Sequence, residues 1–395
     1  MTMAAAIESQ SASTPSGPTS LRIARIDILH DVDVAETAWR ALEADDQFST
    51  PYQRFDFLKA WQANVGVSEG LQPFIVVATS ADGKPLLLLP LAMGRENGAN
   101  VVRFLGGKHT TFNMGLWQRD FASSVTKADL DTVLSAIHDH GADVLAFTQQ
   151  PRNWMGLANP MTLLPGQPSP NACPLMVLSH TSPETKISTG FRRRMRTKER
   201  KLQALSGYRY LLAQTDEEIE RLLNAFFLIK PQRMAAQKLP NIFADPAVEK
   251  FIRESCLAKL PDGHRAIEIH ALECDAEVIA IFAGVSGNKR FSMMFNTYTM
   301  SENARHSPGV ILVRSIVDHY AQHNYDSFDL GIGSDDYKLQ FCKDDEPIFD
   351  SFIPLTARGK LAAFGMSSLT HAKRLVKQNP ALMQMARRLR GALQH

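Results

Sequence analysis

Three groups of residues in this chain have types and spacings that could do chemistry. The first is Ser307-Pro308-Gly309-Val310-Ile311. Serine is a good helix N-cap and proline is favoured at the first helical position. Glycine lets other groups approach the backbone closely. The N–H groups of a first turn, with the positive end of the helix dipole, form an anion site. The segment therefore reads as a place where backbone amides hold a pyrophosphate. His306 precedes the cap and could act as a base.

The second group is Phe328-Asp329-Leu330-Gly331-Ile332-Gly333, followed by Asp336-Tyr337-Lys338. A strand would deliver Asp329 to the sheet edge beside the helix start, where it could take a proton from an amine. A tyrosine phenol, with a pKa of about 10, could protonate a departing thiolate. A lysine ammonium could offset developing negative charge. Each residue also has a plainer reading: Asp329 as a buried carboxylate bonded to amides, Tyr337 as packing, Lys338 as a surface cation. The third group is the basic run Phe191–Lys201, which contains Arg192, Arg193, Arg194, Arg196, Lys198, Arg200 and Lys201. Phe191, Met195, Leu202 and Leu205 recur at helical spacing, so one face packs and the others carry cations. Such a helix can bind tRNA, CoA phosphates or anionic lipid, or be a solvated face between domains. Asn296, Thr297 and Tyr298 close a strand just before the first group, so Asn296 and Tyr298 are candidates to face an acceptor. Gly106-Gly107-Lys108-His109 ends a strand in the first half, where a second pocket could lie.

The elements that must position these residues can be read from periodicity and turn chemistry. In the first half, strands are expected at 21–28, 74–79, 85–93, 101–105 and 143–148, with Asp82-Gly83 as a hairpin turn. Helices are expected at 33–44, 53–64 and 126–139, and residues 156–172 read as a loop. In the second half a basic helix spans 189–205. Thr215 and Glu218 form a capping box opening a helix that runs toward Gln237. A helix at 245–259 and three strands at 266–274, 278–285 and 291–297 follow. A helix at 308–323, a strand at 327–330 and a strand at 348–354 complete the order. Each half offers a helical entry, an antiparallel meander, a helix and another strand.

Length and composition set the frame. At roughly 100–200 residues per domain, 395 residues suggest two domains. Hydrophobic residues are 44% and charged residues 21%, ordinary for a globular protein. The net charge of +2 requires neither nucleic acid nor membrane as a partner. Cys173, Cys256, Cys274 and Cys342 form no CxxC pair, which fits reduced thiols and no metal site. Residues 1–20 read as a disordered leader without a signal peptide. No run approaches the ~18 apolar residues of a membrane span, so a cytoplasmic protein is expected. Residues 359–395 read as a basic helical tail, a helix pair broken by Pro380, able to contact a membrane surface, pack on the body or fray.

Taken in order, these residues resemble the BioF2-like, or CelD-like, acetyltransferases, bacterial proteins labelled as cellulose or polysaccharide biosynthesis proteins. The resemblance covers roughly 30–355. It is carried by Pro51-Tyr52-Gln53 through Leu58 and Trp61, by Asp82-Gly83 with Leu89-Pro90-Leu91, and by Phe104-Leu105-Gly106. The Arg192–Arg200 helix, Ser307–Gly309, Phe328–Gly333 and Tyr337-Lys338 complete it. It implies an α+β protein of tandem GNAT-like (acyl-CoA N-acyltransferase) domains, each a mostly antiparallel twisted sheet flanked by helices. The domains would span 21–180 and 185–358, the second holding the donor. It implies acetyl-CoA or another acyl-CoA as co-substrate, a small-molecule amine as acceptor, and a role in polysaccharide or cell-envelope biosynthesis. It also implies kinship with the Fem-type aminoacyltransferases, in which an aromatic-Lys pair similar to Tyr337-Lys338 lies at the catalytic site. An aminoacyl-tRNA donor, bound through the Arg192–Lys201 helix, is therefore an alternative. A non-catalytic scaffold for exopolysaccharide assembly is another.

Overall fold

The computed structural model describes residues 22–178, 187–333, 337–379 and 382. The leader expected at 1–20, Asp336 and most of the tail beyond 379 lie outside these residues. The described chain is an α+β protein of two mostly antiparallel sheets flanked by helices.

The N-terminal sheet orders Arg25–Leu29, Gln72–Thr79, Pro85–Glu96, Ala99–Phe104, Val144–Pro151, Ile348–Pro354 and Gln167–Pro168, with Leu116–Trp117 paired to Pro85–Glu96. The C-terminal sheet orders Arg209–Leu212, Glu268–Glu273, Val278–Gly287, Arg290–Tyr298, Ser327–Asp329, Cys173–Val177 and Asp344–Glu346. The sheets therefore exchange strands. Ile348–Pro354, expected in the second domain, pairs antiparallel with Val144–Pro151 in the first. Cys173–Val177, from the end of the first half, pairs antiparallel with Ser327–Asp329 in the second. A linear division at 180/185 thus does not coincide with the sheets, because alternation along a strand says nothing about which sheet receives it.

Local chemistry explains most boundaries. The Thr126/Asp129 pair caps the Lys127–Asp139 helix, and the Thr215/Glu218 pair caps Asp216–Ala236. One hydrophobic cluster runs through both halves, joining Trp39, Trp61 and Phe74 to Phe226, Phe251 and Phe295. Polar ties cross the same seam: Arg54 pairs with Asp262 at 3.0 Å and Asn288 donates to Ser49 O at 2.8 Å. A second cluster lies under the Pro308–Gln322 helix, beside the Thr189–Gln203 helix. Four free cysteines are present, three of them buried. Among the described residues, no helix is long and apolar enough to cross a membrane.

Candidate functional site

The site begins where two parallel strands part. Arg290–Tyr298 and Ser327–Asp329 pair only from Arg290/Ser327 to Ser292/Asp329. The longer strand then continues alone while the chain turns away through Leu330–Gly333. Gly331 sits at φ +68°, and a Cβ placed there would be 2.7 Å from Met293 O, so no other residue fits without movement. On the other edge of the long strand, the ladder pairs Gly284 with Met293 but Ala283 with Phe295. Met294 is therefore the extra residue of a β-bulge, and the side-chain phase shifts there. Phe291 and Met293 face the cluster under the Pro308–Gln322 helix, whereas Phe295 faces the cluster shared by the two halves. A cleft of about 350 Å³ opens at the parting, lined by Met293, Met294, Phe295, Gly331, Lys338 and His109, among others.

The helix start lies on the other face. Ser307 is left-handed at φ +56°, and its side chain caps nothing. The Val310 and Ile311 N–H groups both donate to Ser307 O, at 3.1 and 3.2 Å. Lys198, from the basic helix, donates to Ser307 Oγ at 2.6 Å. Glu199 one residue later pairs with Arg314 at 2.6 Å, locking the basic helix against the Pro308–Gln322 helix. The Tyr298 ring lies 3.4 Å from where a Gly309 Cβ would be, and the Arg233 guanidinium stacks over that ring at 3.2 Å. Desolvation, then the Arg305, Lys198 and Lys201 charges, hold the His306 imidazole below its ordinary range. The helix dipole and these cations thus concentrate positive potential at one partly open turn.

The sequence candidates are partly brought together. Ser307, Gly309, Val310, Tyr298 and Asn296 share the helix face; Asn296 and Tyr298 sit opposite Phe282 and Ala280 of the cluster there. Asn296 and Tyr298 were expected to meet the acceptor. The bulge instead turns them away from the cleft wall formed by Met294 and Phe295. Pro308 and Ile311 are buried in the helix's first turn. Tyr337 and Lys338 diverge. Tyr337 packs against the cluster under the Pro308–Gln322 helix. Lys338 is buried in the cleft wall, its Nζ donating to the carbonyls of Gly331 and Ile332, both at 3.2 Å.

Asp329 is a correction to the reading as a base. It is fully buried, and its carboxylate accepts from Arg290 Nε at 3.0 Å, from Ser292 Oγ and from the Gly331 amide at 3.0 Å. Arg290 continues to Glu346 at 2.7 Å. A carboxylate so enclosed fixes the turn that opens the cleft; it is not placed to collect a proton.

The first half contributes a wall that sequence reasoning placed elsewhere. Lys108, His109, Thr110, Thr111 and Gln149 line the C-terminal cleft. The Gly106-Gly107 turn, with φ +86° and +49°, leads into the Lys108–Thr111 segment, and Gln149 comes from the Val144–Pro151 strand. Trp61 Nε1, which can only donate, lies 3.0 Å from His109 Nδ1. Burial pushes the His109 pKa down to about 4, so the ring is neutral at pH 7 and its proton sits on Nε2. His109 is therefore a hydrogen-bond donor in this wall. Lys198, one cation of a run whose sequence allows phosphate binding or a solvated face, is the one that the fold brings to the Ser307 turn. Among the described residues no group of three or more His, Cys, Asp or Glu side chains is arranged to hold a metal.

Comparison with known proteins bears on the domain and its fold. Residues 189–339 match the acetyltransferase (GNAT) domain family. No curated protein matches the chain in sequence. Among solved structures, one titled FemX superposes with a TM-score of 0.56 at 8% identity, covering 85% of this chain and 100% of that one. The C-terminal domain of a putative lysylphosphatidylglycerol synthetase from Agrobacterium fabrum gives 0.50 at 13% identity, covering 86% and 96%. L-PGS from Bacillus licheniformis gives 0.51 at 11% identity, covering 89% and 99%. At these identities the likeness is one of fold.

Proposed function

We propose that the chain, which carries a GNAT-type acyltransferase domain over 189–339, is an acyl-CoA-dependent N-acyltransferase. The observation that carries this reading is the uncapped helix start at Ser307–Gly309, flanked by Lys198 and opening beside parted strands. A pyrophosphate would sit at this turn, a reading supported by the half-buried Gly309, a first turn without acidic residues, and an aromatic ring and a lysine as neighbours. The donor's pantetheine arm would run from this turn into the parting between the strands. Its thioester would then reach the cleft from the helix face. The acceptor amine would enter between Lys338 and the Lys108–Thr111 wall.

Roles for this chain's residues follow. The reaction forms a C–N bond and breaks a C–S bond. The Lys338 ammonium, fixed by two carbonyls, would offset the negative charge on the thioester oxygen during attack. Tyr337, on the donor face, would give its proton to the departing thiolate. The proton lost by the acceptor nitrogen would restore the phenol, so no buried carboxylate is needed. His306, kept neutral among cations, is suited to the phosphate rim. The apolar wall of Met294, Phe295 and Phe251 and the polar wall of His109, Thr111 and Gln149 suit an amine with one apolar and one polar side. A place with the BioF2-like or CelD-like proteins, in polysaccharide or cell-envelope biosynthesis, and a cytoplasmic site of action belong to the same proposal.

Isothermal titration of the full chain with acetyl-CoA and with longer acyl-CoAs tests it. Binding of one of these donors, lost in Gly309→Glu, is the expected outcome. One observation favours a second reading, an aminoacyl-tRNA donor. The helix bearing exposed Arg193, Arg194 and Arg200 abuts the same turn through Lys198. That version requires tRNA binding that weakens steeply with salt. Failure of every donor would leave the scaffold reading.

A further inference from the structure

Among the described residues, Leu361 and Phe364 of the Ala357–Gln378 helix are the most exposed of the large hydrophobic side chains. One side packs on the N-terminal sheet: Gly359 and Ala363 are buried, and a Cβ on Gly359 would lie 1.7 Å from Asp143 O. The opposite side shows Leu361, Phe364, Leu369 and Leu375 to solvent, at 79%, 75%, 56% and 51% exposure. Their spacing places them along one stripe of the helix. Lys360 and Lys373 border it on its two sides. From Ala357 to His395 the sequence holds eight lysines and arginines and no aspartate or glutamate.

We propose that this helix is a docking surface for an anionic lipid bilayer, lying in the interface plane with its leucines and Phe364 inserted. An apolar stripe bordered by lysine and arginine is the physical requirement for such binding. Charge selects the occupant. The residues that follow are also cationic, with Arg387, Arg388 and Arg390 and no acid, so folding them over the stripe would set like charges together. A second copy of the helix meets the same repulsion. An anionic lipid surface neutralises both segments at once, each cation contributing roughly fivefold to binding. The helix also bears on the cleft: Lys377 holds Asn171, a residue of the cleft lining, and Ser367 donates to Gln167 Oε1 at 2.7 Å. Docking would therefore bring that rim to the membrane surface.

The test is co-sedimentation of the full chain with phosphatidylcholine vesicles, with and without phosphatidylglycerol. Binding is expected only with the anionic lipid, weakening at least tenfold between about 0.1 and 0.5 M salt. Leu361→Asp/Phe364→Asp should weaken it more than tenfold with Tm unchanged, and Lys360→Glu/Lys373→Glu should do the same without touching the stripe. No binding to anionic vesicles would overturn the proposal, as would equal binding to neutral ones. So would a dimer in light scattering that Leu361→Asp/Phe364→Asp dissociates, because the stripe would then be a contact between copies. A fall in Tm in that variant would show that the chain itself covers the stripe.

Discussion

The two halves share an order of elements but finish their central helices in opposite ways. In the N-terminal half, Thr126 and Asp129 close the start of Lys127–Asp139 with a reciprocal capping box, which places a carboxylate in the first turn. In the C-terminal half, Ser307 caps nothing, the first turn is without acid, and Lys198 stands beside it. The parting of strands differs in the same sense. The Phe104 and Phe147 rings meet with centroids 4.6 Å apart on the neighbouring strands of the first half, while in the second the chain turns off at Gly331, close against Met293 O, and a cleft opens there. One copy has spent its helix start and strand gap on stability; the other has kept them open, and the first then lends its Lys108–Thr111 loop as a wall.

Lys338→Met should give the largest effect. If the open half is the catalytic one, kcat falls about a thousandfold with donor affinity nearly unchanged, measured by release of free thiol. Gly309→Glu puts a carboxylate into the open half's first turn, one position before the one that Asp129 holds in the closed half. Donor affinity should fall at least about a hundredfold by titration, while circular dichroism and Tm stay as in the wild type. Tyr337→Phe should lower kcat about a hundredfold and leave donor affinity within a fewfold. Equal losses of both would reassign Tyr337 to packing.

His109→Gln probes the lent wall through pH. The native His109 pKa, about 4, lies below its unfolded value near 6.5, so the unfolded chain binds more protons between those limits. The native state keeps this contribution above pH 6.5 and loses it as pH falls toward 4. By pH 5 the wild type should have lost about 2 kcal/mol that His109→Gln does not lose, read from urea unfolding at pH 7 and 5. Thr126→Ala should have the smallest consequence: about 1 kcal/mol of stability and no change in donor affinity. A change in donor affinity would erase the distinction between the halves.

Much of this was legible in the sequence because it is local. The Thr215/Glu218 box, the Asp82-Gly83 turn and the Ser-Pro-Gly helix start each declare themselves within a few residues. The order of elements was likewise readable from period and breakers. What was not legible depends on contacts between distant segments. The Cys173–Val177 strand follows a Pro- and Gly-rich stretch, and nothing in it names the sheet it joins. Nothing in the basic run Phe191–Lys201 singles out Lys198 until the turn at Ser307 is packed against it. The Met294 bulge, which sends Asn296 to one face and Phe295 to the other, leaves no mark in the alternation of an apolar strand. Asp329 read equally well as a base or an anchor, and only Arg290, Ser292 and the Gly331 amide decide between them.

The central claim, that the Ser307–Gly309 turn grips the donor's phosphates, is met most directly by amide NMR of the labelled full chain during titration with CoA. The account predicts the largest, saturating shifts at the Gly309 and Val310 amides, with the Thr126–Asp129 turn unmoved. Saturable binding that leaves those two amides in place would contradict it.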